Sequence, residues 1–385
     1  MSMHPCESDP VALAELTTLR VGGFPERLVA PGDRESLIGV IRDVWSSGEE
    51  WLLLGGGSNT VVADEGFAGT VIRVVTRGIQ RLTTAPGIVR LRIAAGEVWD
   101  EVVASTVRNG WSGIEALSGI PGSVGAAPVQ NIGAYGQEFS TVVRAVEFLD
   151  ADTDEVIWLP PEELGLGYRT SVFKQGRRGA VLSIIIDLAD NPVPQGMGAP
   201  PSAPIVYEQL ADALGVRVGT RVSTAEVRRM VLSLRASKGM VLSPDDPDSV
   251  SAGSFFTNPI VSESFSRTLP ADAPRWSLAP HETDTLLPLR THGVDPGVVP
   301  GFTQSRQAGV KLSAAWLIEQ AGIHRGFSLP GSGAAVSTKH TLSLVNARNA
   351  TAAEIVQLAS YIQYRVQADF GVTLMPEPVL VGLDL

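Results

Sequence analysis

The feature that most constrains this chain is a stretch at 116–136 without a single charged side chain, ALSGIPGSVGAAPVQNIGAYG, which holds five glycines and two prolines. An exposed loop of this length normally carries charge. We therefore expect a buried segment whose small side chains let a large flat ligand approach the backbone. Its amide groups then need partners, and the phosphates and ring carbonyls of a cofactor can supply them. The alternative is a glycine-rich loop with a purely structural role.

A second glycine segment, LGGGSN at 54–59, follows directly after Trp51–Leu54, an apolar run that predicts a buried strand. Three glycines let the backbone turn sharply and present its N–H groups to an anion, and Ser58 and Asn59 add side-chain donors. The segment matches neither the G-x-G-x-x-G fingerprint nor a Walker loop. It therefore predicts either a diphosphate cradle or an ordinary turn between strands.

Apolar periodicity and capping signals predict a mixed fold. Ser223 and Glu226, and likewise Thr351 and Glu354, have the spacing of capping boxes that begin helices. The second of these helices carries one apolar stripe and is expected to end at Gly371. Further helices are predicted at 36–47 and 99–110, and strands at 70–75, 89–95, 142–149, 180–188, 253–260 and 342–346. This order indicates an α+β protein.

Two segments interrupt the pattern. Residues 191–204 are rich in proline and glycine, which predicts a linker at the main domain boundary. Residues 262–305 hold many proline, serine and threonine residues with little periodicity, which predicts a long surface excursion.

Composition excludes several classes of protein. The net charge of −11 weighs weakly against a nucleic-acid surface, which is expected to be basic. No apolar run approaches the roughly 20 residues that cross a membrane, and residues 1–10 lack the basic and apolar regions of a secretory signal. A single cysteine, Cys6, excludes an internal disulfide framework, and the five histidines lack metal-ligand spacing. We expect a cytoplasmic protein without a metal centre, membrane insertion or nucleic-acid partner.

Ser254 is a candidate for chemistry by itself, whereas Arg169 and Glu377 become candidates only through the motifs that surround them. Ser254, in SAGSFFTNP at 251–259, has no histidine nearby to act as its base and no G-x-S-x-G turn around it. Taken singly, it is typical of a small strand residue. Arg169 alone is typical of a surface ion pair, and Glu377, between two prolines, of a charge in a loop.

The order of the motifs gives these residues a context. The chain carries, in sequence, IPGSVGAAPVQNIGAYGQE (120–138), YRTSVFK (168–174), GSFFTNP (253–259), VKLSAAWLIEQAG (310–322) and MPEPVLVG (375–382). Together with GGGSN they resemble the UDP-N-acetylenolpyruvoylglucosamine reductase family, from about residue 17 to residue 382. GGGSN alone would indicate only the wider group of FAD-binding folds.

The resemblance implies an α+β architecture with a two-part FAD-binding domain of the PCMH/vanillyl-alcohol-oxidase-like type. Two α+β lobes at 1–190 would form this domain. After the linker at 191–204, a smaller α+β substrate-binding domain is expected at 205–370, and a C-terminal segment at 371–385 would return to the active site.

The resemblance also implies roles for individual residues. Arg169 matches the catalytic arginine, Ser254 the proton donor and Glu377 the catalytic glutamate. FAD is expected to be bound non-covalently, because no histidine or cysteine is placed to attach it. Its expected contacts are Gly55, Gly56, Gly57, Ser58, Asn59, Ser118, Gly122, Ser123, Gly125, Ala126, Asn131, Gly133 and Arg235.

The substrate side resembles the form of the family with a substrate-clamping tyrosine loop. IVYEQL (205–210) matches that loop and contributes Tyr207, while RASKG (235–239) contributes Lys238 near the diphosphate. Asn258 and Lys311 are the further expected substrate contacts. GFSLPGSGAAVS (326–337) carries about two extra residues, so its polar substrate contact is Ser328, Ser332 or neither.

The family reaction passes hydride from NADPH to FAD, and then to the enolpyruvyl group of UDP-N-acetylglucosamine enolpyruvate, a UDP-sugar, for peptidoglycan synthesis. An arginine suits the substrate carboxylate because its planar fork binds bidentately. Lys174 or Lys238 would supply the charge that favours proton donation by Ser254. We expect a monomer. The alternatives are another FAD-dependent oxidase or dehydrogenase of the same fold, and an inactive nucleotide-sugar-binding protein.

Overall fold

The computed structural model describes residues 11–191, 198–278 and 309–385. Cys6, part of the predicted linker and most of the predicted excursion lie outside the described residues. Within them, no helix combines the length and the apolar character needed to cross a bilayer. The chain divides into two compact units, the first made of Met1–Phe255, Arg325–Ser360 and Pro376–Leu385, and the second of Phe256–His324 and Tyr361–Met375.

The first unit begins with a small parallel sheet covered by one helix. The sheet contains β1 (Pro25–Val29), β2 (Trp51–Leu54) and β4 (Phe67–Arg73), and the helix is α1 (Arg34–Ser47). Strand β3 (Thr60–Val62) lies between β2 and β4 in the chain but pairs with Val379–Val381 near the end of the chain. The strand order is β1-β4-β2. Helix α1 begins after Asp33, whose carboxylate accepts a hydrogen bond from the Ser36 amide, and ends at Gly48 with φ 72°. The sequence places this helix and the strand at Trp51–Leu54 correctly.

A larger antiparallel sheet follows in the same unit. The sheet contains β5 (Ile79–Leu82), β6 (Ile88–Ala94), β7 (Trp111–Ser112), β10 (Val143–Asp150), β11 (Val156–Leu159) and β12 (Gly179–Asp190). The same stretch of chain also forms α2 (Trp99–Arg108) and a separate two-stranded sheet of β8 (Gly133–Ala134) and β9 (Gln137–Glu138). The order in the larger sheet is β11-β10-β12-β6-β5, and β7 pairs with the end of β12. Val89, Leu91 and Ile93 of β6 are buried at every second position, as a strand with one face on a core requires.

Two helices and a short strand continue the first unit: α3 (Glu208–Leu214), α4 (Thr224–Ala236) and β13 (Ser251–Ser254). The chain then forms β14 (Ile260–Ser262), α5 (Glu263–Ser266), β15 (Arg275–Leu278), β16 (Gly309–Leu312), α6 (Ala314–Gln320), β17 (Ala334–Val336), β18 (Ser343–Asn346), α7 (Ala352–Phe370) and β19 (Val379–Val381). Short 3₁₀ helices lie at Leu13–Glu15, Glu115–Leu117, Val124–Ala126, Phe139–Thr141, Pro161–Glu163 and Pro247–Ser249.

Both predicted helix starts are confirmed, and the second is a complete capping box. The Ser223 hydroxyl accepts a hydrogen bond from the Glu226 amide at 3.1 Å and begins α4. At the start of α7, the Thr351 hydroxyl accepts from the Glu354 amide at 3.1 Å, and the Glu354 carboxylate accepts from the Thr351 amide at 2.9 Å. Gly371 follows α7 with φ 68°, as predicted.

The predicted single strand at 253–260 is wrong, because the chain forms two strands there. Strand β13 joins β18 and β17 in a sheet of the first unit, whereas β14 joins β16 and β15 in a sheet of the second. Gly253 has φ 74°, which is outside the strand region, and Pro259 has no N–H for a ladder bond.

The described parts of the two interrupting segments are ordered by hydrogen bonds. In the predicted linker, the Ser202 amide donates to the Val222 carbonyl at 2.7 Å, and the Ala203 amide donates to the Glu115 carboxylate at 2.6 Å. The predicted excursion begins with α5 and β15, so its first part is regular structure rather than irregular surface chain.

Candidate active site

The first unit contains a cavity of about 310 Å³ where the two glycine segments meet the three candidate catalytic residues. Strand β2 delivers the first glycine segment, and the end of β13 delivers Ser254. The predicted residues that line the cavity are Gly55, Gly56, Gly57, Ser58, Asn59, Ser123, Ala126, Gly133, Arg169, Arg235, Ser254 and Glu377.

The two glycine segments touch through their backbones. A Cβ atom added at Gly56 would lie 2.6 Å from the Gly122 Cα atom, so no side chain fits at this contact. The second segment is held from behind, because the Gly125 amide donates to the Ala95 carbonyl at 2.7 Å and the Val124 amide to the Glu97 carbonyl at 2.9 Å. Part of the expected demand for amide partners is therefore met by the protein itself.

Arg169 lies in a tight turn and reaches into the cavity. The backbone groups of Gly167 and Thr170 exchange hydrogen bonds of 3.1 and 3.3 Å across this turn. Arg169 between them has φ 52°, a left-handed conformation that is uncommon for a residue with a side chain and concentrates at functional sites. Its Nη2 donates to the Gly133 carbonyl at 3.3 Å, and its Nε lies 3.0 Å from Oε1 of Glu377.

Glu377 is buried, with 9% of its surface exposed. Burial raises the pKa of its carboxyl above the ordinary value, although the positive charges of Arg169 and Lys174 act in the opposite direction. The ion pair with Arg169 favours the charged form, but desolvation is the larger effect. The carboxyl is therefore closer to holding a proton near neutral pH than an exposed glutamate.

Ser254 ends β13 opposite Ser343 and is half-buried at the cavity wall. The residue before Ser254 is Gly253. A Cβ atom added there would meet nothing within 4 Å, so the glycine is required for its left-handed φ rather than for space.

Helix α4 points a cation into the same cavity. Nη2 of Arg235 donates to the Met240 carbonyl at 3.0 Å, but its Nε is buried without a hydrogen-bond partner. Burial lowers the pKa of this guanidinium, with Tyr135 and Asp100 opposing that effect and Arg169 reinforcing it. A buried donor without a partner is costly, so this atom marks a position where a ligand acceptor would be stabilised.

Tyr207 and Lys238 meet around an aromatic ring that the sequence did not single out. Tyr135 packs edge-on against Tyr207, with ring centroids 5.8 Å apart, and Nζ of Lys238 lies 5.7 Å from the Tyr135 centroid. Nζ of Lys238 also donates to Gln209 at 3.1 Å. Burial, and after it the charge of Arg235, lowers the pKa of Lys238. Tyr207 itself is exposed.

Asn258 and Lys311 belong to the second unit. The Asn258 side-chain carbonyl accepts a hydrogen bond from the Ala314 amide at 3.0 Å, at the start of α6. Nζ of Lys311 lies 5.5 Å from the centroid of Trp276, its cross-strand neighbour. In the first unit, the Ser332 hydroxyl accepts from the Ala334 amide at 3.0 Å, which gives this serine a local structural partner.

Comparison with known proteins decides the family. Residues 25–159 match a family model described as "FAD binding domain", and residues 245–381 match one described as "UDP-N-acetylenolpyruvoylglucosamine reductase, C-terminal domain". A UDP-N-acetylenolpyruvoylglucosamine reductase from Leifsonia xyli subsp. xyli is 66% identical over 98% of this chain and 100% of its own length. The chain belongs to the UDP-N-acetylenolpyruvoylglucosamine reductase family.

Two further relatives of this chain support the same family. The enzyme of the same name from Saccharopolyspora erythraea is 46% identical over 97% of this chain and 95% of its own length. A crystal structure from Thermus caldophilus has a TM-score of 0.59 and 25% identity, covering 97% of this chain and 98% of that one. These relatives confirm the resemblance of the motifs, the α+β FAD-binding fold and the expectation of an FAD-dependent oxidoreductase.

The first cavity, at the two glycine segments, fits FAD. A backbone cradle without side chains suits a diphosphate, and the buried Nε of Arg235 offers a donor that needs an acceptor. A second cavity of about 270 Å³ shares Gly55, Ser123 and Ala126 with the first, so a long dinucleotide would find continuous space. Gly125, a predicted cofactor residue, lines this second cavity.

Four of the predicted cofactor contacts shape the site without lining the first cavity. The Ser118 hydroxyl donates to the Glu115 carbonyl at 2.7 Å, and Gly122 contacts the first glycine segment. Asn131 is buried, with φ 48°, and its side chain bonds to Glu138, Gly167 and Ser140. Gly125 completes this group. Their support of the loop is a better account of these residues than direct contact with a ligand in that cavity.

Three residues of the site were not predicted from the sequence. Thr18 and Gln130 line the first cavity, and Tyr135 forms the platform for Tyr207 and Lys238. Gln130 and Tyr135 lie inside the charge-free segment, so a polar residue in an otherwise apolar glycine-rich stretch was a usable signal. Thr18 carries no such signal, because only the tertiary fold brings it to the cavity.

Proposed function

We propose that this chain reduces UDP-N-acetylglucosamine enolpyruvate to UDP-N-acetylmuramate with NADPH, as a monomeric cytoplasmic enzyme of peptidoglycan precursor synthesis. The observation that carries the proposal is the meeting of Arg169, Ser254 and Glu377 in one cavity with the two glycine segments. An oxidase of the same fold has no need of this trio.

FAD, bound non-covalently, would carry the hydride from NADPH to the enol ether. The first glycine segment, Ser123 and Ala126 would hold its diphosphate and ring through backbone groups. Arg235 would give it a buried donor, and the unpartnered Nε supports this assignment. NADPH and the substrate would use the open side of the same cavity in turn.

Arg169 would bind the carboxylate of the enolpyruvyl group. A guanidinium meets a carboxylate bidentately and keeps its charge at all working pH values, so it stabilises negative charge that builds up as hydride arrives. The bonds of Arg169 to Gly133 and Glu377 hold its side chain before substrate enters, which reduces the cost of ordering it.

Glu377 would act from the same cavity as a protonated or nearly protonated carboxyl. A carboxylate beside an enolate would repel it, whereas a neutral carboxyl can donate a hydrogen bond. The raised pKa of Glu377 supports this role.

Ser254 would donate the proton to the substrate carbon. A hydroxyl is a weak acid, but an adjacent cation makes donation easier. Lys174 and Lys238 were the sequence candidates for this cation, yet neither lines the cavity, whereas Arg169 and Arg235 do. We therefore assign the tuning charge to the two arginines.

Tyr207 and Lys238 would clamp the UDP-sugar. Lys238 would bind the diphosphate, and its lowered pKa reflects a desolvated cation that a phosphate would stabilise. Asn258 and Lys311 are proposed as further substrate contacts.

The decisive experiment is anaerobic spectroscopy of the purified protein. The protein should be yellow, NADPH should bleach it, and UDP-N-acetylglucosamine enolpyruvate should restore the colour. Restoration by oxygen but not by the enol ether would indicate an oxidase, and a colourless protein that binds no FAD would indicate an inactive sugar-binding protein. Ser254→Ala should keep the bleaching step and slow the restoring step by roughly 100- to 10,000-fold. Equal slowing of both steps would make Ser254 a structural residue.

A further inference from the structure

Glu377 lies in a segment whose backbone has few hydrogen-bond donors. Pro376 and Pro378 flank it, and neither proline has a backbone N–H. Pro378 also restricts Glu377 to an extended conformation. The peptide groups of Glu377 must therefore be fixed by partners from distant parts of the chain.

Three such partners converge on the Glu377 backbone. Its amide donates to the Phe255 carbonyl at 2.8 Å, directly after Ser254 in the chain. Its carbonyl accepts from Nδ2 of Asn59 at 3.2 Å and, more weakly, from Nζ of Lys174 at 3.4 Å. The backbone carbonyl of Asn59 in turn accepts from the Val379 amide at 2.9 Å, so the residue grips the segment at two points.

The side chain of Asn59 is committed to the protein. Its Nδ2 also donates to Oε1 of Gln130 at 3.2 Å, which belongs to the charge-free segment. Both hydrogens of the amide thus serve internal bonds, and the expected role of Asn59 as a side-chain donor to the cofactor does not fit this geometry. The side-chain amide of Asn59 instead joins the two glycine segments to the segment that carries Glu377.

We propose that Asn59, oriented by Gln130 and assisted by Lys174, is a positioning residue that sets the location of Glu377 for the second half of the reaction. This inference rests on the proposed function for its kinetic consequence and on contacts alone for its structural consequence. It predicts that loss of the Asn59 amide loosens the Glu377 backbone before it affects cofactor binding.

Hydrogen exchange of the FAD-loaded protein tests the structural part without turnover. In Asn59→Ala, the amides of 377–381 should exchange roughly fivefold faster than in the parent protein. Asn346→Ala is the matched control, because Nδ2 of Asn346 also donates two hydrogen bonds, to the carbonyls of Leu19 and Arg20, and none to Glu377. Should Asn59→Ala fail to fold, Lys174→Met tests the same carbonyl with a smaller expected increase. Unchanged exchange at 377–381 would overturn the proposal.

Half-reaction kinetics test the functional part. Asn59→Ala should keep FAD affinity and the rate of bleaching by NADPH within about twofold, and slow reoxidation by the enol ether by roughly 10- to 100-fold. Adding Asn59→Ala to Glu377→Gln should cause little further slowing, because both changes act through one group. Lys174→Arg should restore what Lys174→Met loses, and Gln175→Met, on the adjacent exposed residue, should have no effect.

Two outcomes contradict the assignment: weaker FAD binding by Asn59→Ala with equal slowing of both halves, and full additivity in the double variant. A parent protein that NADPH bleaches but the enol ether does not reoxidise would instead contradict the proposed function. In that case, the exchange at 377–381 still decides whether Asn59 positions Glu377.

Discussion

Two glutamates of the first unit, Glu147 and Glu377, are both buried beside positively charged side chains but differ in the hydrogen bonds that their carboxylates accept. Glu147 in β10 is 2% exposed, and Glu377 is 9% exposed. Glu147 accepts hydrogen bonds from Nε and Nη2 of Arg34, from Nη2 of Arg92 at 2.8 Å and from the Ser183 hydroxyl at 2.6 Å. Glu377 has one side-chain ion pair, to Arg169, among the described contacts.

The difference in hydrogen bonding reverses the effect of burial. For both carboxyls, burial acts to raise the pKa. Bonds from Arg34, Ser183 and Arg92 outweigh it at Glu147 and lower the pKa there, whereas Arg169 and Lys174 do not outweigh it at Glu377. A buried carboxylate with its oxygens fully bonded stabilises the fold. One with unsatisfied hydrogen-bonding capacity beside a cavity is suited to chemistry, because burial holds its pKa above the ordinary value.

The largest expected effect separates the two residues by activity. Glu377→Gln should slow reoxidation by the enol ether by roughly 100- to 1,000-fold, because an amide N–H is a weaker hydrogen-bond donor to the developing enolate than a carboxyl O–H. Glu147→Gln should leave the same rate within about twofold in the folded protein. Stopped-flow absorbance of the flavin measures both. A comparable loss in Glu147→Gln would remove the distinction.

The free energy of unfolding should respond in the opposite order, with the larger loss at Glu147. Glu147→Ala removes the shared partner of Arg34 and Arg92 and should lower the free energy of unfolding by about 3 kcal/mol, the low end for a broken buried pair since both arginines are partly exposed. Glu377→Ala should cost less. Guanidinium titration of the FAD-loaded protein compares them, and equal losses would contradict the assignment of Glu147 to structure alone.

The geometry of the cation near Glu377 should matter more than its charge. Arg169→Lys keeps the charge but loses the planar fork, and we expect roughly 100-fold slower reoxidation with bleaching by NADPH unaffected. Arg92→Lys is the matched change beside Glu147 and should alter stability slightly and neither rate. Recovery of normal reoxidation by Arg169→Lys would show that charge alone suffices.

The smallest effect is in the pH dependence of stability, where the two glutamates should have opposite signs. The lowered pKa of Glu147 gives stability that is present above the unfolded value of about 4.3 and is lost as the pH falls through the folded value. The raised pKa of Glu377 gives a contribution present below about 4.3 that is lost as the pH rises through the folded value.

Glu147→Gln should therefore be most destabilising at neutral pH, and Glu377→Gln should become neutral or stabilising at alkaline pH. Unfolding titrations at acidic, neutral and alkaline pH measure these trends. The same slope for both variants would show that burial, and not hydrogen bonding, controls both carboxyls.

The sequence predicts the features that depend on local chemistry. Capping boxes such as Thr351 with Glu354 involve residues three apart, and the glycine segments are visible from composition alone. The proposed catalytic residues, Arg169, Ser254 and Glu377, are indicated only by motifs that occur in the order of one family. The split of 253–260 into two strands could also have been anticipated, since Gly253 and Pro259 are both unfavourable in a strand interior.

The features that depend on distant contacts could not be predicted. The role of Asn59 arises from a hydrogen bond to Glu377, 318 positions away. The platform of Tyr135 under Lys238 needs α4 to pack beside the charge-free segment, and the bonds of Glu147 need α1 against the larger sheet. Spacing along the chain carries no information about such neighbours.

The pairing of β19 with β3 has a consequence for the order of events during synthesis. Val379–Val381 runs parallel to Thr60–Val62, so the strand that follows Glu377 pairs with one made far earlier. A nascent chain can assemble the glycine segments and the larger sheet while the ribosome is still adding residues. It cannot complete the catalytic trio until the region around Glu377 has emerged. The cavity at the glycine segments is thus completed only at the end of synthesis, and a chain interrupted before Glu377 would lack part of its wall.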